Sequence, residues 1–143
     1  MKILFPAVRV GNLEASLDFY EAFGVKVVGR VSHASTRMAM LALPCEDEVI
    51  LELVERTDAG PVSAGGLDHL AIQVDDVEAT RRDLLAAGLD SGEVERPGGS
   101  VGPRTVTLVD PDGHRLELVQ WPDGHPVAMT RADFGDPTEG NDR

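Results

Sequence analysis

The 143-residue chain has little cysteine, few aromatic residues and no long apolar run. Its single cysteine, Cys45, can form no disulfide within the chain, and we expect a structural role for it. No stretch reaches about 18 consecutive apolar residues, so the sequence predicts no membrane-spanning helix. The start, MKILFPAVRV, lacks the apolar segment of a signal peptide and is typical of a first strand. We therefore expect a cytoplasmic protein without a membrane partner.

Positive charge is also scarce, with 13 lysine and arginine residues against 25 acidic residues and a formal net charge of −12. Such a balance repels phosphate backbones, so we expect no nucleic acid partner. The hydrophobic fraction of 42% is ordinary for a globular protein. The length is sufficient for one domain, or for two small units that share a core.

What the chain does have is an internal repeat. The segment VRVGNLEA (8–15) matches IQVDDVEA (72–79) position by position in apolar pattern, at an offset of 64 residues. The same offset carries Gly24 onto Gly88, and each glycine follows an apolar helical stretch, where a left-handed C-cap ends a helix. A repeat of this kind indicates two equivalent structural units.

Each unit also contains a glutamate between two leucines, in LELVE (51–55) and in LELVQ (116–120). A charged residue inside an apolar strand costs free energy unless it has a partner, so its double occurrence points to a function. We expect a first unit over 1–64, a second over 65–121, and a loose tail rich in Pro, Gly and Asp over 122–143.

The hydrophobic pattern of each unit predicts a strand, a helix and then three strands. Asn12 is the expected N-cap of the first helix, and the Asp75–Asp76 pair precedes the second, where Asp75 and Glu78 form a capping-box pattern. The expected fold is α+β, with two tandem βαβββ units that form a cupped mixed sheet and helices on its outer face. The expected strands are 3–10, 25–31, 37–43 and 48–54, then 67–74, 92–96, 104–110 and 114–120.

Side chains on a strand alternate between two faces, and a helix covers only one face of each sheet. If the leucines of both Leu-Glu-Leu motifs face the core, Glu52 and Glu117 face the open side. The same alternation places Leu4 in the core. In the second helix, the helical spacing of apolar residues places Leu85 on the buried stripe. The residues expected on the open side are Phe5, Arg9, Glu52, His69, Gln73 and Glu117.

Glu52, His69 and Glu117 are the candidate metal ligands. Two carboxylates and one imidazole suit a divalent ion such as Zn, Ni, Co, Mn or Fe. The repeat superimposes Phe5 on His69, and phenylalanine cannot bind a metal, so the expected ligand set is incomplete. His33, at a strand end, is the alternative ligand that the sequence offers.

The paired units, with HLAIQVDDVEATRRDLLAAG (69–88) and LVDPDGHRLELVQ (108–120), resemble the vicinal oxygen chelate superfamily, also called the glyoxalase/bleomycin-resistance/dioxygenase superfamily. The resemblance covers about residues 3–121. Within it, the opening KILFPAVRVGNLEASLDFY (2–20) is most similar to the glyoxalase I family. The resemblance implies a small-molecule substrate and a homodimer with sites between subunits.

The resemblance also implies roles for single residues. Glyoxalase I binds its metal through a His on the first strand, a Glu that closes the first unit, and a His and a Glu in the second unit. These positions hold Phe5, Glu52, His69 and Glu117 here. A divalent ion would act as a Lewis acid on two adjacent substrate oxygens, with Glu117, or Glu52 as its mirror, as the general base.

Four residues are the expected substrate contacts: Phe5, Arg9, Gln73 and Arg56. An arginine equivalent to Arg9 helps to bind the glutathione carboxylate in glyoxalase I, whereas Arg56 stands where that enzyme commonly has Asn. The aromatic ring of Phe5 would either pack on the cavity floor or stack on a flat ligand.

Three functions follow as hypotheses. The first is a glyoxalase-like lyase or isomerase that uses a divalent metal with an incomplete ligand set. The second is a metal-free binding protein that sequesters a drug or metabolite, as bleomycin-resistance relatives do. The third is an extradiol-type dioxygenase, which needs two histidines and one carboxylate. We discount the third because the candidate set holds one histidine and two glutamates.

Overall fold

The structure is a computed structural model, and it describes residues 1–125, 129 and 133. Most of the predicted tail over 122–143 therefore lies outside the described residues. Neither of the two described α-helices has the length and apolar character needed to cross a lipid bilayer. The elements are β1 (Ala7–Val10), α1 (Leu13–Glu21), β2 (Lys26–His33), β3 (Thr36–Ala42), β4 (Val49–Arg56), β5 (Leu70–Gln73), α2 (Val77–Ala86), a short 3-10 helix (Gly99–Val101), β6 (Arg104–Val109) and β7 (Arg115–Gln120).

The strands form two mixed sheets, with the order β1-β4-β3-β2 in the first and β5-β7-β6 in the second. Helix α1 packs on the first sheet and α2 on the second. The predicted α+β fold with two tandem units is confirmed. Among the described residues, however, no strand of one sheet pairs with a strand of the other, so a single chain does not close the cup with a continuous sheet.

The two halves share one strand register, as the repeat predicts. Strands β1 and β4 are parallel with Ala7 opposite Glu52, and β5 and β7 are parallel with Ala71 opposite Glu117. Both glutamates therefore occupy the same place in their sheets, next to a small alanine side chain.

Both helices begin at a side-chain cap. The carboxamide oxygen of Asn12 accepts a hydrogen bond of 3.1 Å from the backbone N–H three residues on, and Asp76 does the same at 3.0 Å. The capping box predicted from Asp75 and Glu78 is therefore wrong by one residue. Asp76 has the extended backbone that an N-cap needs, with φ −138° and ψ 104°.

Three expectations about the ends of elements are wrong. Leu4 is 70% exposed rather than buried, because β1 begins only at Ala7. Leu85 is exposed because Val77 and Leu84 alone supply the buried stripe of α2. The strand expected over 92–96 is reduced to a single bridge between Glu95 and Thr105, which leaves the second sheet with three strands.

A buried polar cluster joins the two halves. The Tyr20 hydroxyl donates to Asp110, and a ring nitrogen of His114 lies 3.0 Å from the backbone oxygen of Arg9. Asp112, in the same β6–β7 turn, accepts a hydrogen bond from the Gly11 backbone N–H at 3.0 Å. The aspartates of the Asp-Pro-Asp-Gly turn (110–113) thus pack against α1 and the end of β1.

Candidate active site

His69 and Glu117 meet on the open face of the second sheet. His69 Nε2 lies 3.5 Å from Glu117 Oε2, and the two side chains are 39% and 31% exposed. The pair exists because His69 stands two residues before Ala71, which is the residue opposite Glu117 in the register. Two of the three predicted metal ligands are therefore neighbours within one chain.

Asp68 orients the imidazole from its other side. Its Oδ2 lies 2.6 Å from His69 Nδ1. The hydrogen bond to His69, followed by the charge of that histidine, holds the pKa of Asp68 below its ordinary value. When Nδ1 carries the single ring proton and donates a hydrogen bond to the carboxylate, Nε2 keeps a free electron pair, the form in which histidine binds metals.

The donor set fits a divalent ion. With the proton on Nδ1, both Nε2 of His69 and the Glu117 carboxylate offer electron pairs to the space between them. Two ligand atoms about 2.1 Å from one tetrahedral ion lie about 3.4 Å apart. The observed separation of 3.5 Å is close to that value.

The pair lines a cavity of about 490 Å³, within the range of small-molecule sites. Gln73 and Thr105 add polar groups, and the rest of the wall is apolar. The apolar lining consists of Ala71, Pro97, Pro103, Val119, Trp121 and Met129.

Glu52 lies on the other sheet and does not line this cavity. It is half-buried between Ala7 and Met40, its partners in the register. Within the described residues, no three His, Cys, Asp or Glu side chains come close enough to hold one ion. One chain thus brings two predicted ligands together and holds the third apart.

The predicted substrate contacts are also divided between the sheets. Phe5 is half-buried just before β1, and the guanidinium of Arg9 donates to the Gly60 carbonyl while its buried Nε has no partner among the described residues. Arg56 is exposed at the end of β4. Gln73 lines the His69–Glu117 cavity and also a second, apolar cavity of about 370 Å³ between the two sheets.

Sequence reasoning did not identify Asp68, Thr105 and Met129 as site residues. Asp68 could have been found, since an acidic residue directly before a candidate ligand histidine is a simple signal. Thr105 could have been found from the register, because it lies opposite Val119, two residues after Glu117. Met129 carries no such signal, because the chain returns to the cavity only through its tertiary structure.

Comparisons with known proteins place the chain in a family. Residues 2–118 match the model of the Glyoxalase/Bleomycin resistance protein/Dioxygenase superfamily. A lactoylglutathione lyase of Neisseria meningitidis serogroup A is 33% identical over 132 residues, with 87% of this chain and 94% of that protein covered.

Two solved structures are similar in fold. A mutant glyoxalase I from Zea mays has a TM-score of 0.75 at 24% identity, covering 85% of this chain and 46% of that one. The bleomycin resistance determinant encoded on the transposon Tn5 has a TM-score of 0.64 at 22% identity, covering 85% and 98%. Because 82% of the chain length lies within the family match at 2–118, the chain belongs to the Glyoxalase/Bleomycin resistance protein/Dioxygenase superfamily.

Proposed function

We propose that the protein is a cytoplasmic, glyoxalase-like lyase or isomerase that uses a divalent metal ion and acts on a small substrate with two adjacent oxygens. One observation carries the proposal: His69 Nε2 and Glu117 Oε2 lie 3.5 Å apart in a cavity, with Asp68 on the opposite nitrogen of the imidazole. The similarity to a lactoylglutathione lyase supports the same reaction type.

His69 and Glu117 would hold the metal ion, with Glu52 as the third ligand. When bound, a divalent ion of this kind supplies Lewis acidity, which stabilises negative charge that develops on substrate oxygens. Phe5 occupies the place of a fourth ligand and offers no donor atom, so the proposed ligand set stays incomplete.

A homodimer would complete the site. Glu52 cannot reach the cavity from its own sheet, but a two-fold axis can set the first sheet of one copy against the second sheet of its partner. Among the described residues, β1 and β5 each pair with a strand on one side only, so each is an edge strand of its sheet. The exposed apolar residues Ile3 and Leu4 precede β1 and would be covered by such an interface.

The chain's own residues would move and position the proton. Glu117, partly exposed in the cavity, is the proposed general base for a C–H next to a carbonyl, with Glu52 as its mirror from the other sheet. Asp68 would accept a hydrogen bond from His69 Nδ1, which would leave Nε2 as the ligand atom. Val119 and Trp121 add apolar surface to the cavity wall beside the base.

Phe5, Arg9, Gln73 and Arg56 are the proposed substrate contacts. Arg9 is the strongest candidate for an anionic group, because its buried Nε lacks a partner among the described residues and its guanidinium is already held by the Gly60 carbonyl. A fixed guanidinium loses little further freedom when it binds a carboxylate.

The proposal is tested by metal content and by turnover. We expect about one divalent ion per chain in protein purified without chelator, measured by mass spectrometry, and loss of that ion in Glu117→Ala. Glu48→Ala, at an exposed site, is the matched control. Isomerisation of the glutathione–methylglyoxal hemithioacetal would be followed by thioester absorbance. If the wild-type protein binds no metal after incubation with Ni, Zn, Mn or Co, the proposal that it is a metalloenzyme is refuted.

One observation favours a second function, a metal-free protein that sequesters a drug or metabolite. Phe5 replaces a ligand with an aromatic ring, and most of the cavity wall is apolar, with Trp121 as its largest side chain. This alternative predicts tight binding of a planar drug in the presence of a chelator, measured by quenching of the tryptophan. Under the enzyme proposal, chelator removes both metal and turnover.

A further inference from the structure

The His69–Glu117 cavity receives one wall residue from beyond the last strand. Met129 lines the cavity together with Trp121, although it lies nine residues after the end of β7. Its side chain contributes apolar surface and a thioether to the wall of this cavity.

Two contacts link Trp121, His125 and Asp133, the described residues that flank Met129. The rings of Trp121 and His125 are stacked, with centroids 4.4 Å apart and planes 13° apart. His125 Nε2 then lies 2.8 Å from Asp133 Oδ1, and these side chains are only 18% and 23% exposed. The His125 ring is thus stacked on the indole and within hydrogen-bonding distance of the Asp133 carboxylate. Met129 stands four residues from each anchor.

The four residues Trp121, His125, Met129 and Asp133, which we name the C-terminal strap, lie outside the family match, which ends at residue 118. The strap is therefore not among the features by which the chain matches its superfamily. A wall that lies outside the matched region is suited to select among substrates rather than to perform the shared chemistry.

We propose that the C-terminal strap is the outer wall of the substrate cavity and that Met129 determines which substituents the cavity admits. The inference rests on the proposed function, since it takes this cavity as the substrate site. Because Met129, Trp121 and Val119 are apolar, the favoured substrates carry a compact apolar group next to the two oxygens. A bulkier aryl group would collide with the Met129 side chain.

The first test compares two adducts with the full-length, metal-loaded protein. Turnover is measured on the glutathione hemithioacetals of methylglyoxal and of phenylglyoxal. In Met129→Ala, kcat/KM for the phenyl adduct relative to the methyl adduct should rise about tenfold. Met129→Leu, which keeps the volume, and Val101→Ala, at an exposed site outside the cavity, should leave the ratio unchanged. An unchanged ratio in Met129→Ala would overturn the inference.

The second test needs no activity. Trp121 is the only tryptophan of the chain, so acrylamide quenching reports its exposure alone. Asp133→Ala removes the anchor of His125 and should raise the quenching constant about twofold, because the second face of the indole ring becomes accessible. An unchanged quenching constant would overturn the inference that His125 and Asp133 cover Trp121. Failure of the wild type to turn over either adduct would overturn the proposed function, and the quenching result would still decide whether the strap covers the cavity.

Discussion

The hydroxyl of Tyr20 donates a hydrogen bond of 3.0 Å to Asp110 Oδ2 across the boundary between the two halves of the chain. Both side chains are buried. Burial, followed by the charge of Asp110, raises the pKa of Tyr20, so the phenol stays protonated and donates throughout the working pH range. The other oxygen of Asp110 accepts hydrogen bonds from the backbone N–H groups of Asp112 and His114.

Tyr20→Phe should lower the free energy of unfolding by about 1–3 kcal/mol, because it removes one donor from a buried carboxylate while the ring stays in place. Urea unfolding at fixed protein concentration measures the change. Ser16→Ala, which loses only a 3.4 Å contact with Asp112, is the matched control and should cost less. Equal losses in both variants would contradict a special role for the Tyr20–Asp110 bond.

Asp68→Ala should weaken metal binding about 10- to 100-fold, because His69 loses the carboxylate that fixes its tautomer and orientation. Competition titration with a chromophoric chelator measures the affinity. Asp58→Ala, an exposed aspartate in the first half, controls for the loss of one negative charge. If both variants bind metal as tightly as the wild type, Asp68 does not orient the ligand.

Mixing two inactive variants tests where the site is formed. In the proposed dimer, Glu52 of one copy joins the His69–Glu117 pair of the other. A mixed dimer of Glu52→Ala with Glu117→Ala therefore has one intact site and one doubly altered site. After free exchange of equal amounts, about a quarter of all sites should be intact, and turnover should return in proportion.

Two controls accompany the mixing experiment. Each variant alone, taken through the same exchange, should stay inactive. Glu117→Ala mixed with His69→Ala should also stay inactive, because both changes fall on the same sheet and every dimer then lacks an intact site. Recovery in that second mixture would contradict the assignment of ligands to sheets.

Phe5→His should strengthen metal binding about tenfold or more, because it supplies an imidazole at the position that the repeat makes equivalent to His69. Phe5→Leu removes the ring without adding a donor and should leave the affinity unchanged. The chelator competition assay applies to both. A histidine variant that binds metal no better than the leucine variant would show that position 5 does not face the ion.

The cap of α2 predicts a pH dependence of stability. The hydrogen bond from the Ala79 backbone N–H holds the pKa of Asp76 below its ordinary value. A group with a lowered folded pKa contributes stability above its unfolded pKa and loses it as the pH falls through the folded value. The thermal midpoint of the wild type should therefore fall more steeply between about pH 5 and about pH 2 than that of Asp76→Asn. Asp75→Asn, one residue away from the cap, should behave like the wild type.

The repeat predicts much of the fold because it constrains two halves at once. The offset of 64 residues that superimposes the first strands also superimposes Asn12 on Asp76, which are the two observed caps. The capping-box pattern from Asp75, a purely local signal, gave the wrong residue. Strand alternation likewise assigned Glu117 and His69 to one face, where they now lie 3.5 Å apart.

The remaining features depend on contacts that no local pattern encodes. His114 is buried against the backbone of Arg9, which is 105 residues away in the chain. Leu4 follows the alternation of a strand, yet the strand starts after it and leaves its side chain exposed. The position of Glu52 relative to the other ligands depends on how two sheets are arranged in space, which periodicity within one strand does not specify.

Because β1–β4 and β5–β7 share one register, each half of the chain can be compared directly with the other half. Residues 7–9 and 71–73 pair with β4 and β7 in the same register, so either segment is a natural donor for grafting into the other place. Such exchange would let an engineer build a fully symmetric pair of walls, or two different ones, without altering the scaffold. The chain thus carries two copies of one strand register, joined by the buried contacts of Tyr20 with Asp110 and of His114 with Arg9.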